Sequence, residues 1–523
     1  MCIVPPLDRL ASASVVLFGQ HGDISAHAQQ RGISRQRLYR QADSVVRDLE
    51  GRQQQRQLAC LHQQVTDLQV GLSHLQAAQR YAVVVTSDRQ AEFACVAQAE
   101  GVSLPVARRL LAVFLRDVTP SVATLGRLSR QAALRAGPLL KVLDEHVRPR
   151  VGQACADEIF FGQKPVLMVV EPQSHCWLSG RLSPSRDGEQ WAKEFEQLPA
   201  LEHLVRDGGT GLQNGLARVN QRRQQQEQKP IREQLDHFHT LREGRRALRK
   251  TQSQAERAWS QAEEADKKVT RQDRQGQART GYATCAVLKW QKAFQAFHRW
   301  ENAEGTFEQI RRTLLPFTAS GELNSREKTR QRVESLLGQL PGEHWDKFKR
   351  QMRRSETYAY LDRLQETIKA LPVTEEVREA VVQSEGIRHN PQLVQGEGAK
   401  AGAMRGVLLV LGVLIASAGE AGRQAVQTLR DALGCLGRAS SCVEGLNSVV
   451  RMQQTRHRKV TQGLLDLKRV YWNLRTFRTG RRKKTSPYER LGVPLPPDLS
   501  WWQLLQLTPD QLRPLLSAQP IAP

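Results

Sequence analysis

"VGQACADEIFFGQKPVLMVVEPQSHCWLSGRL", Val151 to Leu182, decides the fold. It contains three short runs rich in Val, Ile, Phe and Leu, separated by Gly, Lys, Pro and Ser. Runs of that length and composition bounded by turn residues are strand signals. Two acids, Asp157 and Glu158, stand at the head of the first run. Acids are poor strand formers and costly to bury, so they lie at an exposed strand end or hold something positive. Side chains alternate along a strand, so the two point to opposite faces. Asp157 is the candidate for a site, and Glu158 is expected to be a solvated neighbour.

Downstream, "RDGEQWAKEFEQL" reads as a helix and "EHLVRDGG" as a fourth strand ending in Asp207. "GLQNGLARVNQRRQ" makes the next helix, and "IREQLDHFHTLREGRRALRK" gives a strand-like piece that passes into a basic helix. Strands one and four, if adjacent and parallel, bring Asp157 and Asp207 together. From about Gly244 to Lys400 the chain is helical and polar. There Trp290, Phe294, Phe297 and Trp300 recur at helical spacing and read as a core stripe. The apolar run "MRGVLLVLGVLIASAGEAGR" has an uncharged stretch, Gly406 to Gly419, shorter than the ~20 residues of a membrane span. A buried helix is expected. Beyond it, Glu444, Asn447 and Arg451 fall at i, i+3 and i+7 and share one helix face. "RHRK", including Arg456 and Lys459, suits phosphate contacts. The amphipathic "SWWQLLQLTPDQLRPLL" near the C-terminus docks either on the body or on a partner.

Upstream of Pro149 the pattern is all-helical. "DISAHAQQRGISRQRLYRQADSVV", Asp23 to Val46, places a short helix, a Gly32 turn and an arginine-rich helix in helix-turn-helix order. Its second helix, Ser34 to Val46, would present Arg35, Arg37 and Arg40 to a major groove. Leu61, Val65, Leu68, Leu72 and Leu75 follow at spacings of four and three. This a/d seam forms a coiled coil between protomers or packs on a helix of its own chain. "AEFACVAQAEGVSLPVARRLLAVFL", Ala91 to Leu115, repeats the helix, Gly, helix plan.

The 523 residues are too many for one core, and 77 Lys and Arg against 53 Asp and Glu give a net charge of +24. That excess favours a polyanion partner. Eight scattered cysteines without a C-x-x-C pair argue against a structural zinc site and a disulfide framework, and fit a reducing cytoplasm. The N-terminus has no basic region ahead of an apolar stretch, so no signal peptide and no membrane partner are expected. Neither a phosphate-binding loop nor a Gly-x-Ser-x-Gly elbow occurs, which excludes the commonest ATPase and serine-hydrolase designs.

Three acids therefore stand out: Asp157, Asp207 and Glu444. Converging carboxylates repel one another and call for hard cations such as Mg2+. A pair of ions ~4 Å apart can clamp a phosphate. The segments "ADEIFF", "EHLVRDGGTGL" and "SSCVEGLNSVVRMQQTRHRK", with the tail "LKRVYWNLRTFRTGRRKKTSPYERLG", resemble DDE transposases of bacterial insertion sequences. The resemblance covers roughly Ala154 to Leu491.

It implies an α+β multidomain protein with a ribonuclease-H-like α/β catalytic core, a large helical insertion and an all-α helix-turn-helix N-terminal region. Asp157, Asp207 and Glu444 would be both catalytic acids and ligands of two Mg2+ (or Mn2+) ions. Asp236 and His239, in "DHFH", and Asn447 would stand behind them or touch DNA, and Arg451, Arg456 and Lys459 would bind DNA. Glu301 and Glu304 also offer acids in the long gap, but Asn447, Arg451 and the Tyr-Trp-Asn tail accompany Glu444. The expected divisions are 1–150, DNA binding with a short coiled coil; 151–243, first part of the catalytic domain; 244–400, insertion; 401–480, second catalytic part; and 481–523, tail. The implied activity is metal-dependent strand cleavage and strand transfer at element ends. The partners would be terminal-repeat and target DNA and a second copy of the chain, in a nucleoid-associated cytoplasmic setting. A non-catalytic regulatory DNA-binding protein and a structure-specific nuclease on the same fold are the alternatives.

Overall fold

A computed structural model describes residues 6–81, 85–278, 280–452 and 460–517. The protein is mostly helical with one five-stranded mixed sheet, an α+β architecture. The chain divides into two compact units, 1–86 and 87–523.

The first unit holds α1 (Pro6–Phe18), α2 (Asp23–Gln30) and α3 (Arg35–Tyr81). Ala13, Ala28, Leu38 and Ala42 form its small core. Gly32, at φ +60°, makes the turn between α2 and α3. The second helix was expected to stop at Val46, but α3 runs on unbroken for 47 residues. Between Arg47 and Leu58 it is built mainly from Arg, Gln, Leu and Glu, all good helix formers. They outweigh the ~1 kcal/mol cost of Gly51. The seam residues are exposed, Leu61 at 56% and Leu68 at 73%, and no other helix of the first unit covers them among the described residues.

The second unit begins with α4 (Ser87–Ala99), α5 (Leu104–Leu115) and α6 (Val122–Val147). These helices are not part of an N-terminal domain ending at 150. Leu139, Leu143 and Val147 of α6 share a core with Leu167 and Val169 of the sheet, so the boundary falls at Thr86/Ser87. The sheet follows: β1 (Gln153–Phe161), β2 (Lys164–Val170), β3 (Trp177–Leu182), then α7 (Gly188–Phe195), β4 (His203–Arg206), α8 (Thr210–Gln225) and β5 (Arg232–Leu235). Strand order is β3-β2-β1-β4-β5. β1, β2 and β3 are antiparallel neighbours, whereas β1, β4 and β5 run parallel. Ala154, Ala156, Leu167 and Leu204 face α6, α7 and α8 on one side. Cys155, Ile159, Met168 and Val205 face the opposite side. Cover on both faces explains the nearly continuous apolar runs of β1 and β2.

Between β5 and the last part of the sheet's cover lie eight helices. α9 (His237–Arg274) and α10 (Thr280–Thr313) form a long antiparallel hairpin. α11 (Arg326–Leu337), α12 (Asp346–Met352), α13 (Ala359–Lys369), α14 (Glu375–Arg388), α15 (Ala399–Ser417) and α16 (Gly419–Gly434) complete the set. The expected end of the insertion at Lys400 moves to Gly434, because Leu411, Ile415 and Leu429 pack with Leu361 and Val381 of α13 and α14. The aromatic stripe on α10 closes on Trp259 of α9, with ring centroids of Trp259 and Trp290 4.9 Å apart, while Phe294 stays 52% exposed.

α15 corrects a second expectation. It is not a buried helix: Leu409, Val410 and Val413 are each more than two-thirds exposed. Among the described residues it is the one helix long and apolar enough to cross a membrane. Apolar composition on every side of a helix does not reveal how many neighbours it has.

The chain returns to the sheet through Gly437, at φ +57°, where any Cβ would collide with the Gln153 side chain. α17 (Ser441–Met452) and α18 (Gln462–Leu474) then cover the second sheet face. α19 (Pro487–Arg490), α20 (Trp501–Gln506) and α21 (Pro509–Ser517) end the described chain. Trp502, Leu505, Leu512 and Leu516 pack into the α6 core, so the C-terminal amphipathic segment docks on the body. Cys60, Cys95, Cys155, Cys176, Cys285, Cys435 and Cys442 are all free thiols.

Candidate metal centre

Asp157 occupies the middle of β1, not its end, and its side chain turns toward α17. Its neighbours on that face are apolar: Cys155, Ile159, Cys442, Val443 and Leu446 form a dry floor. Asn447, fully buried on α17, donates Nδ2–H to Asp157 Oδ2 at 2.8 Å. One helical turn earlier, Glu444 reaches the same point. The third arrival is His239, on the first turn of α9. Ligand atoms of Asp157, His239 and Glu444 all lie within 4.8 Å of one another.

The head of α9 explains how His239 gets there. Asp236 is the N-cap of the helix and accepts from Phe238 N at 2.7 Å. Its other oxygen accepts from His239 Nδ1 at 2.5 Å and from the Ser440 hydroxyl. His237 N donates to Arg438 O at 2.8 Å. The two ends of the long helical excursion are thus stitched together beside the sheet. His239 then points its Nε2 at Glu444 Oε1, 3.1 Å away. That contact is an ion pair when the ring is protonated, while Asn447 Oδ1, buried beside it, has no hydrogen-bond partner. A buried amide oxygen left in that state is uncommon.

Electrostatics follow from this packing. Burial pushes Asp157 up to about 7, tempered by His239 and reinforced by repulsion from Glu444 and Asp207. The His239 ring holds Glu444 below its ordinary value, against its burial. For Asp236, burial acts upward, but hydrogen bonds from His239 and Ser440 win and lower it. Burial acts downward on His239, yet Asp236, Glu444 and Asp157 together raise it to about 10. The ring is therefore a cation at neutral pH, placed among acids where a metal ion would sit.

Asp207 follows β4, one step beyond the Ala156–Arg206 pair, and so lies beside Asp157 in register. Its carboxylate is not within the three-residue cluster; Oδ1 accepts from Gly209 N at 2.8 Å and closes its own turn. Glu158 points to the opposite face as expected, but it is not a solvated neighbour. It is largely buried and paired with Arg186 at 2.8 Å. Arg451 pairs with Glu444 at 3.3 Å, so in this state it serves the acid and does not stand free for a phosphate. Arg456 and Lys459 lie outside the described residues. Glu301 and Glu304 are exposed on α10. The Tyr-Trp-Asn tail does not join the site: Asn473 bonds both the N–H and the C=O of Trp177 and fixes the start of β3. Arg35, Arg37 and Arg40 are exposed on the first turns of α3, with no ion pair among the described residues.

The residue whose weight the sequence understated is His239. Its signal was the spacing D-x-x-H at a helix start, which puts the histidine back beside its capping acid. No family model, curated protein or solved structure matches the chain.

Proposed function

We propose that the chain is a DDE-type transposase that binds element ends and carries out metal-dependent strand cleavage and strand transfer. The observation that carries this reading is the meeting of Asp157 from β1 and Glu444 from α17 at His239, beside Asp207 at the end of β4 and a buried Asn447 oxygen that has no hydrogen-bond partner. An acid on the first strand, one after the fourth and one on a late helix is the layout the resemblance implies. A sheet of three antiparallel strands continued by two parallel ones supports a ribonuclease-H-like core.

The donor set fits divalent ions. Asp157 and Glu444 supply hard oxygens, as Mg2+ prefers, and the His239 nitrogen also admits Mn2+. Asp157, Glu444 and the neighbouring Asp207 would hold the ions. Such ions would supply a lowered pKa for an attacking water or 3'-hydroxyl and stabilisation of the leaving oxygen. Asn447 orients Asp157, and the apolar floor keeps water away from it. Asp236 holds the His239 ring at the mouth, where the protonated ring balances the acids and the deprotonated ring would offer its nitrogen as a ligand.

The exposed seam of α3 supports a second copy as partner. Leu58 extends it to Leu75, and the flanking positions Gln57, His62, Gln64, Gln69, Gly71 and Gln76 include no Lys, Arg, Asp or Glu. Flanks without charge let two identical helices pair without repulsion. Exposed Arg35, Arg37 and Arg40 on the same helix support DNA reading, in keeping with the +24 charge.

The test is cleavage and joining by purified protein with Mg2+ or Mn2+ and DNA from the gene's own flanks. Wild type is expected to give joined products, with Asp157→Asn and Glu444→Gln each lowering the rate roughly 100-fold or more. Tight binding with no metal-dependent cutting by wild type would instead establish the regulatory reading. Cutting without joining would establish the nuclease.

A further inference from the structure

The first turns of α9 carry Arg242, Arg245, Arg246, Arg249 and Lys250, five cations in nine residues, all exposed. Among the described residues none is paired with an acid; Arg242 lies over the Phe238 ring. By contrast, three arginines on other helices of the excursion, Arg311, Arg378 and Arg423, each pair with a glutamate three residues back. The unpaired stripe works against its own helix. Like charges at i, i+4 cost ~0.2–0.5 kcal/mol a pair, and cations toward a helix N-terminus oppose the macrodipole.

Its direction is fixed by the metal centre. Thr240, Gly244, Ala247 and Thr251 bury the inner edge of α9, with Gly244 against Phe307 and Phe348. At ~100° per residue the cations lie on the opposite side. His239, Arg242, Arg246 and Arg249 follow one another at i, i+3, i+7 and i+10 on one face, and His239 touches Glu444. The stripe therefore starts at the candidate site and leads away from it over ~12 Å. One strand of a duplex presents about three phosphates in that distance.

We infer that this face of α9 is a phosphate track that holds duplex DNA leading out of the catalytic centre. The inference rests on the proposed function and deepens it by assigning DNA contacts to a helix outside the helix-turn-helix. A regular polyanion is the occupant that suits five cations at helical spacing without pockets or apolar anchors between them. These contacts position the duplex and carry no sequence information.

The test measures binding of a labelled 30-base-pair duplex by full-length protein across a KCl series. The variant is Arg246→Gln/Arg249→Gln/Lys250→Gln, which spares Arg242 beside Glu444. The control is Arg311→Gln/Arg378→Gln/Arg423→Gln, and thermal midpoints check that both fold. Each lost phosphate contact lowers the slope of log affinity against log salt by ~0.9. The stripe variant is expected to lose roughly 2 to 3 from that slope while the control keeps it. An unchanged slope, an equal loss in the control, or no duplex binding by wild type overturns the track. Metal-dependent cutting is scored separately. A stripe-dependent slope without cutting leaves the track standing and removes strand transfer; cutting with a stripe-independent slope does the reverse.

Discussion

Two regions of this protein bury acids against the sheet, and they resolve the cost in opposite ways. Between α6 and α18, Asp144 has one oxygen on Arg469 and the other on Arg148, at 3.1 Å. Arg469 is itself buried and donates Nε–H to Trp177 O at 2.7 Å. Across the sheet, Asp157 and Glu444 share a titratable imidazole, beside a buried Asn447 oxygen with no hydrogen-bond partner. A guanidinium is a permanent cation with a fixed fork of donors. A histidine can give its charge up. The first cluster is closed by permanent cations; the second is balanced by a group that can lose its charge.

The largest effect should come from opening the closed cluster. Arg469→Met leaves Asp144 buried with only half its compensation and should cost about 3–5 kcal/mol in urea unfolding. Glu444→Gln, which loses half-buried pairs with His239 and Arg451, should cost less, about 1 kcal/mol. Equal costs for the two would erase the distinction. Next in size is the response to metal. Mn2+ at about 100 times its dissociation constant should stabilise wild type by about 2.7 kcal/mol. Asp157→Asn and Glu444→Gln should lose this shift and Arg469→Met should keep it; a shift that survives in Asp157→Asn would place the ion elsewhere.

A smaller effect separates the clusters by pH in metal-free protein. Asp157 is raised from 3.8 to about 7, so its contribution is full below 3.8 and lost as pH rises through 7. His239 is raised from 6.5 to about 10, so its contribution is full below 6.5 and lost as pH rises through 10. Wild type should therefore weaken progressively between pH 4 and 10. Asp157→Asn should flatten the lower half of that decline and His239→Gln the upper half. A decline above pH 7 as steep in His239→Gln as in wild type would count against the histidine.

The strands and acids were legible because each rests on local chemistry. Val, Ile and Phe runs make strands wherever cover is available, and Glu444, Asn447 and Arg451 share a face by helical geometry alone. The reach of α3 was not legible. A Gly32 turn gave its start, but nothing after Val46 stops it, and a helix ends only where something stops it. The exposure of α15 and the fate of the Tyr-Trp-Asn tail depend on contacts hundreds of residues apart, such as Asn473 with Trp177. His239 was visible as a residue, but its place among Asp157, Glu444 and Asp236 needed the α9 cap and α17 to meet.

The unbroken length of α3 has a mechanical consequence. Arg40 and Leu58 are eighteen residues apart on one helix. That is about five whole turns, so the arginine and the first seam leucine look out on the same side of the rod. No hinge lies between them to absorb an error in rotational phase. Adding one residue near Gly51 would swing Arg40 by ~100° about the axis, while adding seven would return it to within ~20°. The spacing between the arginine turn and the seam therefore works like the teeth of a gear, tolerant of whole steps and intolerant of fractions.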